Sequence, residues 1–114
     1  MSPARLWVLQ RITAMILAPL VLVHLATIVY ASRGGLSATE ILGRTEGHVG
    51  LAAVYALFVV AAAIHGAIGC RVVLGEWARL RGPGVDGALL AGAVMVAMLG
   101  LRTVWVLYTG SGWT

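Results

Sequence analysis

Charge is what this sequence has least of. Only 11% of its 114 residues are Asp, Glu, Lys or Arg, and none is lysine: all eight basic residues are arginine. A soluble domain carries roughly a quarter of its residues as charges. With 61% hydrophobic residues and a mean hydropathy of +0.97, too few polar side chains remain to cover a soluble surface. Cysteine is nearly absent too. Cys70 stands alone, which excludes an internal disulfide and any zinc or iron–sulfur site built from this chain's own cysteines. There is no low-complexity tract and no long linker. The net charge of +4 comes from arginines near segment ends, which points to membrane orientation and phosphate-group contact, with no nucleic acid as partner.

What the chain does have is long uncharged runs. Ile12 to Ser32 and Val49 to Cys70 hold no formal charge, and a third run, from about Gly87 to Tyr108, is interrupted only by Arg102. A bilayer core takes about 20 helical residues. The expected fold is therefore all-α and integral to a membrane. It is one transmembrane domain over residues 1–114, with helices at about 7–32, 49–75 and 87–108. Val29-Tyr30-Ala31 has the look of a signal-peptide cleavage site. The apolar run before it outlasts the ~7–15 residues of a signal core, however, so the first run is expected to stay as a span.

The connections carry their own signals. Arg33-Gly34-Gly35 should stop the first helix. Ser37 and Glu40 have capping-box spacing and predict a short interfacial helix. Gly82-Pro83-Gly84 breaks the second connection, and Trp105, Tyr108 and Trp113 should form an aromatic cluster at the far end of the third span. Pro19 lacks an amide donor and predicts a kink in the first helix. Arginine is in excess in the head (Arg5, Arg11) and second connection (Arg71, Arg79, Arg81) over the first connection (Arg33, Arg44). That imbalance predicts a cytoplasmic N-terminus and a C-terminus outside.

Three residues within the runs stand out. His65 is the only histidine in the uncharged run from Val49 to Cys70, and Gly69 follows one helical turn later on the same face. An imidazole in hydrocarbon needs a partner. A ligand nitrogen beside a missing side chain suits a flat macrocycle such as haem, while a satisfied core histidine is the plainer reading. His24 admits the same two readings, ligand or interhelical hydrogen bond. At 1.5 Å per residue, His24 lies roughly 25 Å from an edge near Trp7 and His65 roughly 15 Å from an edge near Gly75. The two levels differ by about 10 Å, so both cannot ligate one iron. Arg102 falls roughly 24 Å from Asp86, near the level of His24, and must snorkel or find a partner such as a haem propionate. His48, at the start of the second span, reads as interfacial.

Taken together, three stretches resemble the small cytochrome b membrane-anchor subunits of succinate dehydrogenases and fumarate reductases, the complex II family. Leu9-Gln10-Arg11-Ile12-Thr13-Ala14 is similar to the Arg-(Ile/Val/Ala)-(Thr/Ser)-(Ala/Gly) start of their first helix. His65-x-x-x-Gly69 resembles their haem histidine and following glycine, and Glu76-Trp77 stands where they usually carry Asp-Tyr. The resemblance spans the whole chain. It implies bundling with a second membrane-anchor subunit, and an iron–sulfur subunit and a flavoprotein subunit on the cytoplasmic side of the cell inner (plasma) membrane. Phospholipid and membrane quinone would be the further partners. It implies haem b, one or two shared with the partner: His65 ligating the inner haem, His24 the outer, with Gly69, Arg71 and Arg102 in the haem cage. Arg11 and Trp77 would face quinone, with Trp77 a departure from the family's tyrosine. Electron transfer between the iron–sulfur partner and membrane quinone is the function so implied, in either direction. Two rivals stand beside it, a haem-free structural quinone-binding anchor and a small helical transporter. The transporter class usually shows an intramembrane carboxylate, and Glu40, Glu46, Glu76 and Asp86 all lie in connections or at an edge.

Overall fold

A computed structural model describes residues 2–35 and 37–110. Four helices follow in order: α1 Pro3–Gly34, α2 Ala38–Thr45, α3 Val49–Trp77 and α4 Pro83–Thr109. The described residues form no strand. Three helices, α1, α3 and α4, are long and apolar enough to cross a membrane. The fold is the all-α, three-span arrangement expected from the uncharged runs.

The long helices extend past their apolar runs, and local caps close several of their ends. Ser2 Oγ accepts the Arg5 amide and Pro3 opens the first turn of α1. At the other end Gly35 adopts φ +116, and its N–H donates to Ala31 O. α1 passes through Pro19 as continuous helix. α2 is the short helix expected from its capping box. Ser37 Oγ accepts from Glu40 N, and the Glu40 carboxylate accepts from both the Ser37 amide and hydroxyl. Those bonds, aided by Arg44, hold the Glu40 carboxyl below the usual carboxylate range. α2 then caps another helix: Thr45 Oγ donates to Leu107 O and Gly47 N–H to Tyr108 O, two carbonyls that the end of α4 leaves open. His48 is the N-cap of α3, its Nδ1 accepting the Leu51 amide. Gly82-Pro83 starts α4 as well as breaking the connection before it.

α3 is the central helix, with α1 on one flank and α4 on the other. Paired residues give an antiparallel register on both sides: Thr13 with His65 and Thr27 with Tyr55 toward α1, Arg71 with Asp86 toward α4. The α3–α4 approach is close at Gly100, where a Cβ would stand 2.5 Å from Val59 Cγ1. The only buried apolar side chains among the described residues are Ala61, Ala63 and Ile68, all on α3. Large apolar groups such as Leu22, Leu90 and Met98 are exposed, as suits helices whose solvent is lipid. Trp105 and Tyr108 pack with ring centroids 6.4 Å apart, while Trp113 lies outside the described residues.

Candidate functional site

The α1–α3 seam carries the polar chemistry. Thr13 is the one buried polar residue of the described chain, at 3% exposure. Its Oγ1 donates to Leu9 O at 2.9 Å or Gln10 O at 3.0 Å, the back-bond that a helical threonine makes. The same oxygen stands 3.1 Å from His65 Nδ1. His65 Nε2 makes no hydrogen bond among the described residues and is not enclosed by them. One turn on, a Cβ at Gly69 would meet Gln10 Nε2 at 3.5 Å, an ordinary contact, and Gln10 Oε1 is buried without a partner.

His24 sits on the same seam in a different setting. Its ring lies 5.2 Å from Phe58 and 5.8 Å, edge-on, from Tyr55. Its Nδ1 is buried with no partner among the described residues. The neighbouring hydrogen bond bypasses it: Tyr55 Oη and Thr27 Oγ1 are 2.8 Å apart, and Thr27 donates to His24 O. Between the His65–Thr13 level and His24 lie eleven residues of α1, or about 16 Å of rise, and seven of α3 from Phe58, or about 10 Å. The two rings stand at separate levels.

The arginines and tryptophan are spread out. Arg71 Nε donates to Asp86 Oδ1 at 2.9 Å, with both side chains about half exposed at 48% and 49%. The pair ties α3 to the first turn of α4, where a carboxylate also suits the helix dipole. Arg11 stacks over Trp7 at 4.3 Å from its centroid. Trp77 ends α3, 84% exposed. By the register it lies about 15 Å from the level of Arg11, so the fold of this chain does not bring the two together. Arg102 is exposed and two residues past Gly100, which faces α3. Two residues is about 200° of helical turn, so Arg102 projects from the face of α4 turned away from His24.

No group of three or more His, Cys, Asp or Glu side chains gathers among the described residues. A haem iron asks only one imidazole of each helix that flanks it, and His65 fits that demand: one ring nitrogen anchored, the other unpartnered, a glycine one turn away. Residues 2–101 match the family model described as "Succinate dehydrogenase/Fumarate reductase transmembrane subunit". The chain belongs to that family. No curated protein and no solved structure gives a significant match. The match makes this chain the transmembrane anchor subunit of a complex of that type, and a multi-pass membrane protein. It takes in Arg11, Thr13, His24, His65, Gly69, Arg71 and Trp77, while Arg102 lies just beyond it.

Sequence reasoning passed over four side chains of the anchor's seam and its caps: Thr13, Gln10 and Tyr55 as partners, and His48 as a cap. The first three show only once the antiparallel register is known. His48 had a local signal, a side-chain acceptor just before an apolar run, which is where N-caps stand.

Proposed function

We propose that this anchor subunit holds haem b through His65 and passes electrons between an iron–sulfur partner and membrane quinone. The observation that carries this reading is the His65 imidazole, fixed at Nδ1 by Thr13 and unpartnered at Nε2 within an otherwise uncharged run. Bound there, haem would supply a one-electron relay, and a second imidazole from a second membrane-anchor subunit would complete bis-histidine ligation. This chain's residues do the rest. His65 supplies a neutral nitrogen donor, and Gly69, one turn on, lets Gln10 of α1 come close beside it. Arg71 supplies positive charge at the polar end of α3, shared with Asp86. Arg11 and Trp77, at the same end of the bundle, are the side chains proposed to meet the quinone head. Flavoprotein and iron–sulfur subunits would dock on that face, cytoplasmic by the arginine excess.

A second reading gives His24 a second haem, without Arg102, which faces away from it. It draws on the separate level of His24 on the seam, beside Tyr55 and Phe58. Against it stands Nδ1: ligation through Nε2 would leave an Nδ1–H buried and unbonded, at about 1–3 kcal/mol.

The test is a reduced-minus-oxidised spectrum of the assembled complex beside its His65→Ala variant. Loss of a low-spin b-type signal in the variant is expected. A full signal there, or none in the unmutated complex, would defeat the reading. Arg11→Ala should slow quinone turnover more than assembly, and normal quinone kinetics in the intact complex would remove Arg11 from the site.

A further inference from the structure

We propose that Thr13 is a positioning residue that locks His65 in its Nδ1–H tautomer, and so makes Nε2 the metal-binding nitrogen. The proposal rests on the reading of His65 as ligand and deepens it. The argument is a count of protons. Thr13 Oγ1 has one hydrogen and three acceptors within reach: Leu9 O at 2.9 Å, Gln10 O at 3.0 Å and His65 Nδ1 at 3.1 Å. If the hydroxyl donates to a carbonyl, its lone pair accepts from Nδ1–H, and both hydrogens are bonded. If it donates to Nδ1 instead, the ring proton moves to Nε2, which has no acceptor among the described residues. Nε2 is not enclosed by this chain and opens outward at membrane depth, so its proton would be left bare toward hydrocarbon, which offers no acceptor. Nδ1–H therefore wins, and the Nε2 lone pair is left free.

A metal-bound histidine needs that arrangement, with its second nitrogen donating to a fixed acceptor. Here the acceptor comes from the neighbouring helix. Thr13 is buried, and its hydroxyl is pinned by its own backbone, so the lock is set before any iron arrives. His24 Nδ1 has no such partner among the described residues.

The tautomer can be read directly, without haem and without activity. In the full chain labelled with ¹⁵N-histidine and held in lipid nanodiscs, His65 should show a protonated Nδ1 and a bare Nε2. Thr13→Val, which keeps the shape and removes the hydroxyl, should move the proton toward Nε2, and Thr13→Ser should restore the first pattern. A bare Nδ1 in the unmutated chain would overturn the proposal, as would a Thr13→Val chain that keeps Nδ1–H. In the assembled complex Thr13→Val should weaken haem binding about 10–100-fold and raise the haem midpoint potential, because a ligand that no longer donates its N–H is less basic. Thr13→Ser should hold both values. If haem depends on His65 but Thr13→Val leaves affinity and potential unchanged, the lock fails and the ligand stands. If the unmutated complex has no haem, or His65→Ala keeps it, the ligand reading fails, and the tautomer measurement still decides the lock.

Discussion

Two imidazoles lie on the seam between α1 and α3, and their surroundings oppose one another. His65 meets a hydroxyl that is itself held by backbone carbonyls, so each hydrogen on that side finds an acceptor. His24 meets two aromatic rings, and its buried Nδ1 finds no partner among the described residues, although a hydroxyl pair, Thr27 and Tyr55, forms beside it. A histidine on an apolar helix is therefore not one chemical object. The partner on the next helix decides whether the ring presents a lone pair or only a shape.

The largest test of that contrast is haem content. His65→Ala should remove the haem signal, while His24→Ala should leave the His65-dependent haem intact. Haem per complex, extracted and set against protein mass, separates the outcomes. If His24→Ala also lowers the count, the two rings are alike after all and the two-haem reading stands.

A smaller effect is expected on stability. His24→Phe keeps an aromatic ring between Tyr55 and Phe58 and removes the unpartnered nitrogen. It should be neutral or stabilising, by up to about 1–3 kcal/mol, because no hydrogen bond is lost. Unfolding of the complex in a mixed detergent series would measure it, and clear destabilisation would mean that His24 has a polar role. Tyr55→Phe deletes the bond to Thr27 at the same level and should cost about 0.6 kcal/mol in the same assay.

The smallest effect lies away from the seam and serves as its control. Glu40 is held below the ordinary carboxylate value first by the Ser37 hydroxyl, then by the Ser37 amide, with Arg44 adding. A lowered carboxyl favours the folded helix at pH above the unfolded value, 4.5, and that contribution is lost as pH falls through the lowered folded value. Hydrogen exchange of the first α2 amides should therefore quicken only at acid pH, and Glu40→Gln should flatten the response. The tautomer of His65 should not follow Glu40. If it does, α2 and the seam are coupled.

Much of this protein follows from local pattern. Uncharged runs interrupted by arginine and glycine decide three spans, because hydrocarbon accepts only backbone whose hydrogen bonds close within the segment. Ser37 and Glu40 decide α2, because a capping box needs residues only three apart. Arg-x-Thr at 11–13 and His-x-x-x-Gly at 65–69 carried the family resemblance. Pairing across helices is different in kind. Thr13 and His65 are 52 residues apart, and only the antiparallel register of α1 on α3 sets one against the other. The same register gives His24 its aromatic neighbours and withholds an acceptor from it, and the facing of Gly100 toward Val59 turns Arg102 away from the seam. Composition decides which side chains enter a membrane. Which of them share a proton depends on distances of about 3 Å between helices, and those distances exist only after the helices have packed.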